Sequence, residues 1–346
     1  MVTTADREVA ALVQRFLPAV KSRLREAVPN APGLHGLLRY HLGWEDQHGE
    51  PAEEDGGKAL RPVLCLAACE MAGGDWRRAL PAAAALELIH NFSLVHDDIQ
   101  DGDVLRRGRP TLWSFRGVPQ AVTAGNAMRV VADDTLLALS RVGLPADAVI
   151  EAAMELTARY LEMIEGQYLD MAFEQSDDVT TDNYLDMVGR KTGALIEGAM
   201  FLGALVATRD ASLAHAFGVC GRRLGLAFQV RDDYLGIWGD PAATGKAVGA
   251  DIRRKKKSLP AVYLFQHADE SERAWLRATY ADDEVTADNV DRVLAILDRL
   301  QAKAYVQQVA ERQAAAAVGM AAGLGLTPAV RRTIEAMAKF FVTRQK

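Results

Sequence analysis

Cysteine is the scarcest chemically informative residue here: 346 residues contain three, Cys65, Cys69 and Cys220. That excludes a disulfide framework. Cys65 and Cys69 are four apart in an apolar segment, with no CxxC spacing and no neighbouring histidine, so a zinc site is not indicated either. All three read as buried free thiols of a reducing cytoplasm. Proline is limited to 12 residues gathered at a few breaks, which leaves long stretches open to helix. No β-alternation and no internal repeat stand out, which argues against sheets and solenoids. No uncharged apolar run is long enough to span a bilayer, so no integral membrane segment is expected. The N-terminal MVTTADREVAALVQ is amphipathic and does not pattern as a signal peptide. Basic charge is short as well. The net charge is −6 and the longest basic tract is Arg253-Arg254-Lys255-Lys256-Lys257, so nucleic acid is not an expected partner. Taken alone, that tract reads as a solvated loop.

What remains is abundant Ala and Leu in helical patterns. At 49% hydrophobic and 25% charged, the chain suits a globular protein with a sizeable core. It is read as a single all-α domain over residues 1–346. The patterns predict helices over 5–28, 60–72, 80–101, 119–141, 146–174, 182–207, 210–238, 258–267, 270–280, 285–319 and 328–343. Residues 29–57, with Pro29, Pro32, Gly33, Pro51 and Gly56-Gly57, form a long connection holding short helical pieces, and 102–111 form a loop. Helix 80–101 is apolar on all sides, as a central buried helix would be.

Two acidic clusters end apolar helices. The first is Asp97-Asp98-Ile99-Gln100-Asp101. Residues four apart on a helix differ by about 40° around its axis, so Asp97 and Asp101 share a face. Their mutual repulsion, added to the negative helix end, is relieved by a divalent cation. Carboxylates with phosphate oxygens and water suit Mg²⁺. The plain alternative is a helix end exposed to water. The second cluster, Asp232-Asp233, follows Gln229 at helical spacing in FQVRDD. Basic residues accompany the acids: Lys58 and Arg61, Arg106 and Arg107, Lys191 beside Thr192, Lys246, and the 253–257 tract. Each is weak evidence by itself, but acids for metal with bases for phosphate describe a pocket for diphosphates bridged by Mg²⁺.

The segments GGKALRP (56–62), ELIHNFSLVHDDIQD (87–101), LRRGRPT (105–111), GQYLD (166–170), KTGAL (191–195), FQVRDD (228–233) and GKAVGADIRRKKKSLP (245–260) carry a resemblance. In this order the chain resembles the trans-isoprenyl diphosphate synthases of the polyprenyl synthetase family, most of all geranylgeranyl diphosphate synthases. The resemblance implies a bundle of long antiparallel helices around a deep central cavity, a homodimer, and isopentenyl and allylic diphosphates as substrates. It implies that Asp97, Asp101 and Asp232 hold about three Mg²⁺ ions, with Asp98 and Asp233 in support. By the same resemblance Arg106, Lys191 and Lys256 contact the allylic diphosphate, with Lys246 near it. Lys58, Arg61, His90 and Arg107 bind the diphosphate of isopentenyl diphosphate, and Thr192 and Gln229 face the reacting carbons. His90 would otherwise read as a core histidine, and His96 is kept structural. Arg344 and Lys346 either close the cavity or fray as solvated charges.

Product length is assigned to Phe92 and Ser93, five and four residues before Asp97, and to the deeper Ile89. Five residues rise about 7.5 Å, so a ring at Phe92 would stop a growing tail. An aromatic there, beside a small residue, matches geranylgeranyl synthases and favours a C20 product. Two positions depart from the family pattern. Gly236 stands where the second motif usually has its last aspartate, and Asn126 where many relatives have Asp. A class I terpene cyclase shares the aspartates but needs no isopentenyl site. A non-catalytic partner subunit tends to lose an aspartate cluster.

Overall fold

The computed structural model describes residues 3–52, 57, 59–174, 176, 178–245 and 247–345. The fold is all-α, as expected. The helices are α1 (Thr4–Ala27), α2 (Leu34–His41), α3 (Leu60–Met71), α4 (Leu80–Gln100), α5 (Leu112–Arg116), α6 (Val118–Leu137), α7 (Ala146–Glu174), α8 (Thr181–Val188), α9 (Ala194–Thr208), α10 (Ala211–Trp238), α11 (Pro241–Thr244), α12 (Ala250–Arg253), α13 (Leu259–His267), α14 (Glu270–Ala281), α15 (Ala287–Arg299), α16 (Ala302–Ala322) and α17 (Pro328–Thr343). Capping fixes several starts. Thr180 with Asn183, and Asp269 with Glu272, form reciprocal capping boxes that begin α8 and α14.

Besides the short helices α5, α11 and α12, which the sequence patterns do not predict, three segments differ from the expectation. The 102–111 loop contains a minimal antiparallel hairpin, β1 (Leu105–Arg106) and β2 (Arg109–Pro110). Arg107 and Gly108 form its turn with φ of 54° and 77°, the positive-φ pair that a two-residue hairpin demands. The 182–207 helix is interrupted by a π-helical turn over Gly189–Gly193, between α8 and α9. The 285–319 helix breaks at Gln301, whose φ is 55°, with Ala302 fully buried behind it. Neither glycine nor proline marks that break.

The chain packs as two compact units, the first within Ala10–Tyr160 and Gly198–Gly218, the second within Met1–Val9, Leu161–Glu197 and Val219–Lys346. In the first unit α4 is the centre, with every residue from Pro81 to Ile89 buried. Small residues let its neighbours come close. A Cβ at Gly125 of α6 would lie 2.4 Å from Nε2 of His96, and one at Gly203 of α9 would lie 2.1 Å from the Cys65 carbonyl. The second unit buries Ile237, Ile252, Leu264, Leu276, Val293 and Leu297 together. All three cysteines are buried and free, as expected. Burial pushes the Cys69 and Cys220 thiols up to about 12. Among the described residues one helical run, Thr181–Thr208, has the length and hydropathy of a membrane span, but 78% of that window is buried inside the protein.

Candidate active site

In the first unit, α4 delivers the acidic motif at its C-terminal end. Asp97 and Asp101 lie one turn apart and Asp101 is solvent-exposed. Asp98 points elsewhere: it is 2% exposed and accepts a 2.6 Å hydrogen bond from Nε of Arg106. Burial raises its pKa to about 6, against the pull of Arg106. The hairpin supplies Arg106 from β1 and Arg107 from the turn. The Arg107 guanidinium packs so closely on Gly57 that a Cβ there would lie 2.4 Å from Nη2. Gly57 and the hairpin turn therefore meet.

Two histidines face these arginines. His90 is held far below its ordinary pKa by burial first, then by Arg61, Arg107, Arg106 and His41. His41, from α2, is pushed down to about 3, by burial first and then by Arg106 and Arg107, against a hydrogen bond with Asn91. Asn91 in turn donates through Nδ2 to the Glu87 carbonyl (2.8 Å) and to Glu87 Oε1 (3.1 Å). A small cavity of about 80 Å³ opens among His41, Asp98, Arg106, Arg107 and Arg109. The neutral His41 imidazole beside the guanidinium groups suits it to an anion. Arg109 itself is locked by the carbonyls of Tyr40 (3.0 Å) and Glu45 (2.7 Å).

Below the acids, Ile89, Phe92 and His96 follow one another along α4 at helical spacing. Phe92 is 8% exposed and meets His96 edge to face with centroids 4.8 Å apart. The Ser93 hydroxyl donates to the His90 carbonyl at 2.8 Å, turning back onto its own helix. Asn126 is exposed on α6.

In the second unit the π-helical turn presents Lys191 and Thr192. It presses against α7 at Gly166, where a Cβ would lie 2.2 Å from the Lys191 amide nitrogen. Lys191 pairs with Asp170 of α7. The Thr192 hydroxyl donates to Gln229 Oε1 (3.1 Å), and Gln229 Nε2 donates to Asp233 Oδ1 (3.2 Å). Asp233 is fully buried and also accepts from Tyr184 Oη (2.6 Å) and the Leu259 amide (3.2 Å), with Lys256 Nζ at 3.9 Å. Burial raises Asp233 to about 6, and Lys256 opposes the rise. Asp233 thus organises its surroundings. Asp232 is paired with Arg344, whose guanidinium also reaches the Phe228 carbonyl (3.0 Å) and lies 4.1 Å from the Phe228 ring centroid. Arg344 is 4% exposed, which corrects the reading of that residue as frayed and solvated.

The first unit therefore carries Arg61, His90, Asp97, Asp98, Asp101, Arg106 and Arg107, and the second carries Lys191, Thr192, Gln229, Asp232, Asp233 and Lys256. Lys58, Lys246 and Lys346 lie outside the described residues. Sequence reasoning missed Glu87, Asn91, His41, Asp170 and Tyr184. Glu87 and Asn91 did leave a signal, as polar residues in an apolar helix. Among the described residues no three His, Cys, Asp or Glu groups stand together as a ready metal cage. Mg²⁺ does not need one, since it takes one or two carboxylates and completes its shell with water and phosphate. Asp97, Asp101 and Asp232 are donors of that kind.

A family model described as Polyprenyl synthetase matches residues 47–297. A (2E,6E)-farnesyl diphosphate synthase of Mycobacterium tuberculosis is 38% identical over 319 residues, 91% of this chain and 87% of the relative. A geranylgeranyl diphosphate synthase of the same organism is 40% identical over 286 residues, 82% of this chain and 80% of the relative. The crystal structure of a polyprenyl synthetase from Streptomyces coelicolor superposes with a TM-score of 0.90 at 36% identity, covering 96% of this chain and 99% of that one. The chain belongs to the polyprenyl synthetase family, and it is a trans-prenyl diphosphate synthase.

Proposed function

We propose that the enzyme condenses isopentenyl diphosphate head-to-tail with allylic diphosphates and stops at the C20 product, geranylgeranyl diphosphate, with Mg²⁺ as cofactor. The observation that carries the reading is the cluster of positive charge in the first unit: Arg61, Arg106 and Arg107 all act on His90, and Arg106 and Arg107 line a small cavity with His41 and Asp98. A cyclase needs only one diphosphate site, whereas elongation needs a second, for isopentenyl diphosphate. We assign that role to Arg61, His90 and Arg107, with Lys58 on the strength of the sequence alone. Arg106, Lys191 and Lys256 receive the allylic diphosphate, and Lys246 joins them on the same sequence grounds. Asp97, Asp101 and Asp232 hold Mg²⁺, and the chain acts as one catalytic domain.

Mg²⁺, when bound, neutralises charge on the departing diphosphate. The protein's share is orientation. Asp98 fixes Arg106, Asp170 fixes Lys191, and Asp233 fixes Gln229 through its amide. That last bond turns Gln229 Oε1 toward Thr192, so a carbonyl dipole is set where positive charge develops on the allylic carbons. The allylic C–O bond breaks, the double bond of isopentenyl diphosphate forms the new C–C bond, and a proton leaves to the departed diphosphate. Buried Phe92, about 7.5 Å along α4 from Asp97, limits the tail. Exposed apolar residues on α6 and α7, Val118, Val122, Val130, Leu137, Ile150 and Met154, support a homodimer. Buried free thiols suit a reducing cytoplasm. The test is to incubate enzyme and Mg²⁺ with geranyl or farnesyl diphosphate, with and without isopentenyl diphosphate. Consumption that requires isopentenyl diphosphate supports elongation, and consumption without it supports a cyclase.

A further inference from the structure

The π-helical turn over Gly189–Gly193 is a rare backbone form, of the kind that marks functional sites, and one side chain outside it grips it. Arg222 of α10 donates from Nη1 to the Gly189 carbonyl at 3.1 Å and from Nη2 to Glu162 Oε2 of α7 at 2.7 Å. Its Nε donates to Glu197 of α9. Three nitrogens of one planar group thus tie α10 to α7, to the turn and to α9, all within the second unit. The stem of the side chain continues the contact. A Cβ on Gly193 would lie 3.5 Å from Arg222 Cγ and 3.6 Å from the Arg222 carbonyl, so Arg222 touches both ends of the turn. One helical turn further on, a Cβ on Gly225 would lie 2.9 Å from the Gly193 Cα, which brings the two backbones together. Arg222 lies outside the segments that carry the family resemblance.

We propose that Arg222 is a positioning residue for the allylic diphosphate, acting through Lys191. The Gly189 carbonyl lies two residues before Lys191 in the same turn, so the guanidinium fixes the backbone from which the ammonium projects. Asp170 then fixes the side chain itself. A rigid fork suits this task, because one group must hold two carboxylates and a carbonyl at once. The inference rests on the reading of Lys191 as a ligand of the allylic diphosphate and adds the residue that holds Lys191 in place.

The test measures KM for geranyl diphosphate and for isopentenyl diphosphate, with melting temperatures, in wild type, Arg222→Lys, Lys191→Met and their double variant. Lysine keeps a positive charge beside Glu162 and Glu197 but lacks the planar fork that also reaches the carbonyl. Arg223→Lys is the control, since Arg223 pairs with Gln313 at 3.0 Å instead. The proposal predicts that Arg222→Lys raises KM for geranyl diphosphate by about tenfold, as a misplaced ligand would. KM for isopentenyl diphosphate should stay within about twofold of wild type. In the Lys191→Met background Arg222→Lys should add less than about twofold, because the group it acts through is already gone. Glu162→Gln, which loosens one anchor of the clamp, should shift the same KM in the same direction, and it carries the test if Arg222→Lys does not fold. Unchanged KM values overturn the proposal, and a lower melting temperature beside them would mark Arg222 as structural. A full tenfold rise added on top of Lys191→Met overturns it as well. If Lys191→Met itself keeps the wild-type KM for geranyl diphosphate, the reading of Lys191 falls and takes the proposal with it.

Discussion

Replacing His41 with Asn tests whether the first unit's pocket is a cage of fixed positive charge. His41 carries a folded-state pKa of about 3 because burial and then the Arg106 and Arg107 guanidinium groups resist its protonation. In the unfolded chain the same imidazole titrates near 6.5. The unfolded state therefore binds the extra proton first, and stability is lost as pH falls below 6.5 toward 3. At about pH 5 the imidazole is 1.5 pH units below its unfolded pKa, which costs about 2 kcal/mol at about 1.36 kcal/mol per unit. Asp98 and Asp233, each raised to about 6, act in the opposite sense and gain stability as pH falls through 6. Those contributions are shared by wild type and variant and cancel in the comparison. The assay is urea unfolding of both proteins at about pH 7.5 and pH 5. Whatever His41→Asn costs at pH 7.5, that cost should shrink by about 2 kcal/mol at pH 5. An equal cost at the two pH values would refute the electrostatic account of the pocket.

Phe92→Ala should cost about 3 kcal/mol in denaturant unfolding, as expected for emptying a buried aromatic site. It should also shift products beyond C20, and an unchanged product would show that Phe92 is not the floor. Gly166→Ala sets a methyl against the Lys191 backbone, where no side chain can rotate away. It should cost about 1–3 kcal/mol and raise the KM for the allylic diphosphate as Lys191 and Thr192 move. A wild-type melting curve and KM would contradict the close contact. Arg344→Ala breaks the pair with Asp232, whose carboxylate is 40% exposed, so the loss is held to about 1–2 kcal/mol of metal-free stability. Because Arg344 occupies a carboxylate assigned to Mg²⁺, metal affinity should not fall, and a loss of both would show that the tail supports the site.

Much of this architecture can be read along the chain because its signals are local. Ala-rich periodicity places most helix ends within a residue or two. The break at Gln301 has no local signal, since a glutamine in left-handed conformation is held by its surroundings. The π-helical turn at 189–193 depends on the absence of a Cβ at Gly166, more than twenty residues away. The site divides in the same way. The aspartates stand out because paired acids end apolar helices. His41 gains its role only when α2 meets the hairpin arginines.

The central claim is elongation to a C20 product. It is tested most directly by the length of the product made from labelled isopentenyl diphosphate and farnesyl diphosphate with Mg²⁺, determined by mass spectrometry after phosphatase treatment. The account predicts labelled geranylgeraniol with little longer alcohol. No incorporation into farnesyl diphosphate, or a label carried well past C20, would contradict it.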